Sequence, residues 1–275
     1  MAKEVEFKIS YNGGTAAGGR LELYDAGRSL MGLSRAIHIT THAFLNDGVV
    51  RTRGDRVHGA AIYLSGPKQG SFLETVAVAF DDDSQRKVGR SVITDAFYDF
   101  LQWTWRAASG GVVNEPETAY VRRMAERQEP ILSDMSTGLE SGLREFQRPL
   151  GQEQDMTISF LRPRAGEILR LDQDTLSYVT PESDEQITTD VIGNVTKYNM
   201  LSGIGRLYDD GEERTISFDL IPTLSAWEKA LLTESMHERN VGNEGKIAVD
   251  VRRVFTARGL LKRYTIHAVR RLEAG

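Results

Sequence analysis

Three consecutive carboxylates, Asp81, Asp82 and Asp83, close a strand-like run, and Asp95 and Asp99 stand four apart on the helical stretch beyond it. Carboxylates at a strand end suit hydrated Mg²⁺, which needs only one or two of them for phosphoryl chemistry. That arrangement would make the chain a metal-dependent enzyme acting on nucleic acid or a nucleotide. The same run also has a simpler use, because negative charge is favourable at the positive N-terminus of a helix. A nuclease would want a lysine close by, and Lys87 is placed only on a helix face. His38 and His42 are four apart, so both imidazoles can share one side of a helix, as zinc ligands do. No Glu follows His38, which removes the metalloprotease pattern and leaves semi-buried helix histidines as the plainer reading. The turn GGTAAGG at 13–19, with Arg20 behind it, lies between a strand and a helix, where backbone N–H groups can cradle a phosphate. It has neither a P-loop ending nor the G-x-G-x-x-G spacing. A nucleophile elbow and cysteine are both absent, so no catalytic residue, cofactor or metal ligand is assigned.

A second kind of chemistry sits near the C-terminus. Residues 246–271 hold eight Lys and Arg residues against Asp250 alone, whereas 111–185 hold 15 acidic residues against eight basic ones. Arg252, Arg253, Arg258, Lys262 and Arg263 are candidate contacts for an anion or nucleic acid, with Tyr198, Tyr208 and Tyr264 as stacking partners. Phe218 falls on an inward face and the whole chain carries a net charge of −5, so recognition of a protein is an equal alternative.

These residues need elements to position them. VEFKISY (5–11) alternates as a strand, and Leu23, Leu30, Leu33, Ile37 and Phe44 mark a helix that Asn46, Asp47 and Gly48 stop. VHGAAIYLS (57–65) and SFLETVAVAF (71–80) read as strands of a hairpin across GPKQG. Ser84 is placed to cap one continuous helix reaching about Ala107, apolar on more than one face and so expected between layers. Helical stretches at 116–128 and 131–148 come next, separated by Pro130. Leu132, Met135, Leu139, Leu143 and Phe146 form a narrow stripe on the second, predicting a helix packed lengthwise on one neighbour, either a partner or second copy or the aromatic-rich helix ending near Ala107. DMTISFL (155–161) and EILRLD (167–172) are strand-like, completing the first sheet or bridging it to the C-terminal domain, so the boundary falls either at Pro149–Gly151 or at the acidic turn PESDEQ (181–186).

From Ile187 the order is strand (187–198), strand (203–208), strand (214–221), helix (223–239), strand (246–255) and strand (260–270). Three strands, a helix and two strands is the order of the oligonucleotide/oligosaccharide-binding (OB) barrel. With its Gly70-Ser71-Phe72 strand start in an α/β N-terminal half and a small C-terminal barrel, the chain resembles a group of bacterial and phage-associated proteins. That resemblance implies an architecture and carries over no activity or site residue.

The fold expected is α+β: a βαββα domain with added helices over 1–150, connecting strands over 151–186, and an OB-like five-stranded barrel with one inserted helix over 187–275. No run of 18 apolar residues and no basic-then-apolar leader is present, so a cytoplasmic protein without a membrane partner is expected. The function expected is non-enzymatic binding or assembly within a larger complex, with the barrel as recognition module and protein partners or self-association as its basis.

Overall fold

Alternation in the first strand organises the N-terminal part of the chain. Val5, Phe7, Ile9 and Tyr11 are buried on one face of β1 (Lys3–Asn12), while Glu4 and Glu6 stay exposed on the other. The computed structural model describes residues 3–52, 54, 56–65, 73–127, 131–200, 203–256 and 259–272. Gly70, Ser71, Phe72, the GPKQG turn, Pro130 and Arg258 lie outside the described residues. Two compact units divide the chain, Met1–Thr180 and Pro181–Gly275.

In the first unit, β1 is the middle strand of an antiparallel sheet of order β2-β3-β1-β4-β5. The others are β2 (Ala60–Ser65), β3 (Leu73–Phe80), β4 (Thr157–Arg162) and β5 (Gly166–Leu171). Phe7 stands opposite Val76 of β3, and Ile9 opposite Phe160 of β4, so the buried face is continuous across the sheet. The connecting segment expected at 151–186 is therefore not a linker. Its first strands complete this sheet, a short helix, α6 (Gln173–Val179), comes after them, and its end opens the second unit.

Among the described residues five α-helices precede β4: α1 (Leu23–Leu45), α2 (Asp82–Val88), α3 (Ile93–Ala108), α4 (Ala119–Arg127) and α5 (Ile131–Phe146). The single helix expected from Ser84 to about Ala107 is two helices. Gly89 lies between them at φ 114°, outside the helical region, and the cap of the first is Asp81 rather than Ser84. The stripe of α5 is core. Met135, Leu139, Leu143 and Phe146 are fully buried and Leu132 packs against the same cluster, with α1 and α3 as neighbours. The partner of that stripe is thus intramolecular. At the crossing of α1 and α5, a Cβ on Gly32 would lie 2.3 Å from the Phe146 backbone nitrogen, so only glycine permits this approach. Trp105 fills the centre, its indole N–H donating to Thr40 Oγ1 at 2.8 Å and its ring 5.0 Å from that of Phe160. A buried aromatic of this size stabilises the unit by about 2–3 kcal/mol.

The second unit is a closed barrel built from β6 (Glu182–Asn199), β7 (Ile204–Asp209), β8 (Arg214–Leu220), β9 (Ile247–Phe255) and β10 (Leu261–Arg271), with α7 (Ala226–Asn240) between β8 and β9. Neighbours run β10-β8-β7-β6-β9, and β9 pairs with β10 to close the circle. The β8–β10 pair is parallel and the rest are antiparallel. This is an OB-like barrel. β6 serves two neighbours because register shifts at Ser183/Ile187, Thr188/Val191 and Val195/Lys197 bend it. Ser225 and Glu228 form a capping box that starts α7, and Ser235 ties the helix to β6 by accepting from the Val195 N–H at 3.1 Å. Trp227 is on this helix and exposed.

Candidate functional site

Strand register decides which basic side chains meet on the barrel exterior. Residues directly opposite on paired strands project from the same face. Arg263 of β10 is opposite Ser217 of β8, Ser217 is opposite Arg206 of β7, and Arg206 is opposite Lys197 of β6. Three cations therefore lie in one row across four adjacent strands, about 14 Å from end to end at ordinary strand spacing. One row further along, Arg252 of β9 is opposite Thr265, which is opposite Asp219. Arg263 donates to Asp219 Oδ2 at 3.1 Å, while Arg252 forms no ion pair among the described residues. Tyr208 is two residues beyond Arg206 on β7, hence on the same face, and its side chain is exposed. Beside it a groove of about 360 Å³ is lined by Asn194, Thr196, Tyr208, Met236 and Arg239. A volume of that order accommodates a small planar group.

Not every residue expected at this surface is there. Arg253 stands opposite Tyr264, on the side facing the barrel interior, and its guanidinium lies 3.5 Å from Glu212. Tyr264 is fully buried, donates to Asp209 Oδ2 at 2.6 Å, and has its hydroxyl pKa pushed well up by burial and then by that carboxylate. Tyr198 stacks on Phe218, with ring centroids 6.2 Å apart. The stacking trio reduces to Tyr208 alone. Lys262 is half-buried at the register shift beside Arg263, and Arg258 lies outside the described residues.

Carboxylates from distant sequence also neutralise much of the basic C-terminal run. Lys246 meets Asp210 at 2.5 Å, Arg271 meets Glu234 at 2.7 Å, and Arg270 meets both Asp250 and Asp190. Hydrogen bonding by Arg270 holds the Asp250 carboxyl below its usual range. Arg206 and Lys197 are the site residues that sequence reasoning missed. Each is isolated in its own strand, and only the pairing register brings them beside Arg263.

In the first unit the acidic run is spent on helix ends and ion pairs. Asp81 accepts from the Ser84 N–H at 2.8 Å, which holds its carboxyl below the ordinary value. Asp82 lies 3.6 Å from Arg90, Asp83 pairs with Arg86, and Asp95 pairs with Arg162. Asp99 accepts from the Thr118 N–H at 2.7 Å, and Lys87 donates to the Leu45 carbonyl at 2.6 Å. Among the described residues no three His, Asp or Glu side chains gather as metal ligands. The Gly-rich turn at 13–19 does bind anions, but they are the protein's own. Glu153 accepts from the Thr15 N–H at 2.6 Å, and Asp155 accepts from the Gly14 N–H at 3.2 Å. No described helix is long and apolar enough to cross a membrane.

Comparison with curated proteins and with solved structures gave no match. The barrel, over residues 188–270, matches the profile described as Family of unknown function (DUF7947). A second profile matches residues 7–180, which is more than half of the 275-residue chain. The chain belongs to the family described as Domain of unknown function (DUF7946).

Proposed function

We propose that the chain is a binding protein rather than a catalyst, that its barrel is the recognition module, and that the ligand class is single-stranded nucleic acid. The observation that carries this reading is the row Lys197, Arg206 and Arg263, which crosses the exterior of β7 and β8. In OB barrels that strand face, with its flanking loops, is where oligonucleotides and oligosaccharides bind. A row of cations follows a phosphate backbone, and an exposed ring at its edge gives one base a stacking surface. Tyr208 and its groove stand in that position. The scarcity of exposed rings makes phosphate contact the main source of affinity, with little sequence preference.

The test is fluorescence anisotropy of labelled single-stranded DNA and RNA titrated with the full chain at low salt. Saturable binding is expected, and Arg206→Glu should weaken it by about tenfold or more, because it places a repelling charge in the middle of the row. Absence of saturable binding to either polymer, or an unchanged affinity in the variant, would overturn the reading.

A further inference from the structure

The sheet of the first unit ends in two edges of different character. β5, at one end, carries Glu167 and Arg170, and a register shift after Phe160 leaves Ile168 without an opposite residue. Gln102 and Arg106 both donate to the Ile168 carbonyl, at 2.8 and 3.3 Å. Charge, a bulge and an occupied backbone acceptor all keep a strand edge from pairing with another chain. Among the described residues β2, at the other end, has none of these. Its sequence, AAIYLS, includes no charged residue and no proline. It pairs with β3 from Ala60 to Ser65 without a shift, and no described strand lies on its other side. Tyr63 and Leu64 are each 56% exposed, on opposite faces of the strand.

Pairing with β3 decides which backbone groups of β2 point outward. The Asp81 N–H donates to the Gly59 carbonyl at 3.0 Å, so Gly59 and Asp81 form a hydrogen-bonded pair one step beyond Ala60 and Phe80. Such pairs alternate along an antiparallel ladder. Ala61, Tyr63 and Ser65 therefore turn their N–H and C=O groups toward β3, and Ala60, Ile62 and Leu64 turn theirs outward. This edge is complementary to itself. With two copies antiparallel and Ile62 opposite Ile62, Ala60 stands opposite Leu64, and each outward N–H and C=O meets a partner. In the same register Ala61 stands opposite Tyr63, so that small side chains meet large ones on both faces. The two-fold axis that relates the copies is perpendicular to the sheet, which keeps the helices of both on one side.

We infer that β2 is a self-association edge: two copies of the chain pair through Ala60–Leu64 and join their five-stranded sheets into one continuous sheet. This inference rests on a different unit from the barrel reading and stands independently of it. Light scattering of the full chain at rising concentration tests it, and the mass is expected to climb from 30.7 kDa toward twice that value. Leu64→Pro deletes an outward N–H and spares those bonded to β3. It should raise the dimer dissociation constant by about tenfold or more, with the melting temperature nearly retained. Because the chain has no cysteine, Ile62→Cys introduces a single thiol, which reads the register. Opposed residues of a hydrogen-bonded pair have Cα atoms about 5.5 Å apart, within disulfide reach. Mild oxidation should link Ile62→Cys into a dimer and leave Tyr63→Cys, diagonal to its copy, largely unlinked. The cysteine pair decides the question if Leu64→Pro unfolds the chain. The mass of a single chain at every concentration, a dimer that a folded Leu64→Pro does not weaken, or linkage of Tyr63→Cys as efficient as that of Ile62→Cys would each overturn the inference.

Discussion

Glu74 stands opposite Ile9, on the helix-covered face of the first sheet, with one carboxylate oxygen that has no hydrogen-bond partner among the described residues. Burial raises its pKa from the ordinary 4.5 to about 7. As pH rises from about 4.5 to 7, an unfolded Glu ionises while the folded one keeps its proton, so stability falls across that window and is flat above it. Glu74→Gln keeps the shape and removes the ionisation. It should leave the melting temperature nearly unchanged at pH 4 and raise it at pH 8, by the equivalent of about 2–3 kcal/mol. An equal effect at both pH values would show that the carboxylate is not held neutral. At this scale the sequence is a poor guide. The run Asp81–Asp83 looks like a ligand set, and only its contacts with Ser84, Arg90 and Arg86 reveal helix-end and surface pairing. Arg253 and Tyr264 look exposed in a basic strand, yet each is on the inward side.

Among the elements, periodicity was legible wherever one side faces a core. The stripe of α5 identified a helix packed lengthwise, and α1 supplies the close neighbour through Gly32. Gly32→Ala should cost about 1–3 kcal/mol, because the added methyl meets Phe146 backbone that cannot swing aside. Leu139→Glu buries an unpaired carboxylate in a fully buried position, and a loss of about 3 kcal/mol or more is expected without a change of molecular mass. Thermal melts beside light scattering check both; a smaller assembly with an unchanged melt would return the stripe to an intermolecular role. The break between α2 and α3 was hidden because the apolar residues on either side of Gly89 still fit a helical pattern. α6, with seven residues, is too short for periodicity to mark, although Asp172 and Thr175 form its capping box. The register shifts of β6 leave no compositional trace, and they decide which residues of β6 face which strand.

For the molecule as a whole, element order was enough to indicate an OB-like barrel, since three strands, a helix and two strands leave few closed arrangements. The division at Thr180/Pro181 falls at the acidic turn 181–186, one of two boundaries the sequence left open, and the choice was hidden because β4 comes after long helices and pairs with a strand at the start of the chain. An isolated 181–275 fragment should give a β-dominated circular dichroism spectrum and a cooperative melt; a largely helical or unfolded spectrum would contradict the division. Net charge was misleading at this scale. The eight basic residues of 246–271 are partly neutralised by acids elsewhere, and the proposed row draws on strands outside that run. The central claim is that this row holds a phosphate backbone, and salt dependence measures that most directly. Neutralising three phosphates on a single strand gives a slope of about −2 in log K against log salt, and Arg206→Ala should make it shallower by about 0.7. A slope near zero in the unaltered chain, or one that Arg206→Ala does not change, would contradict the account.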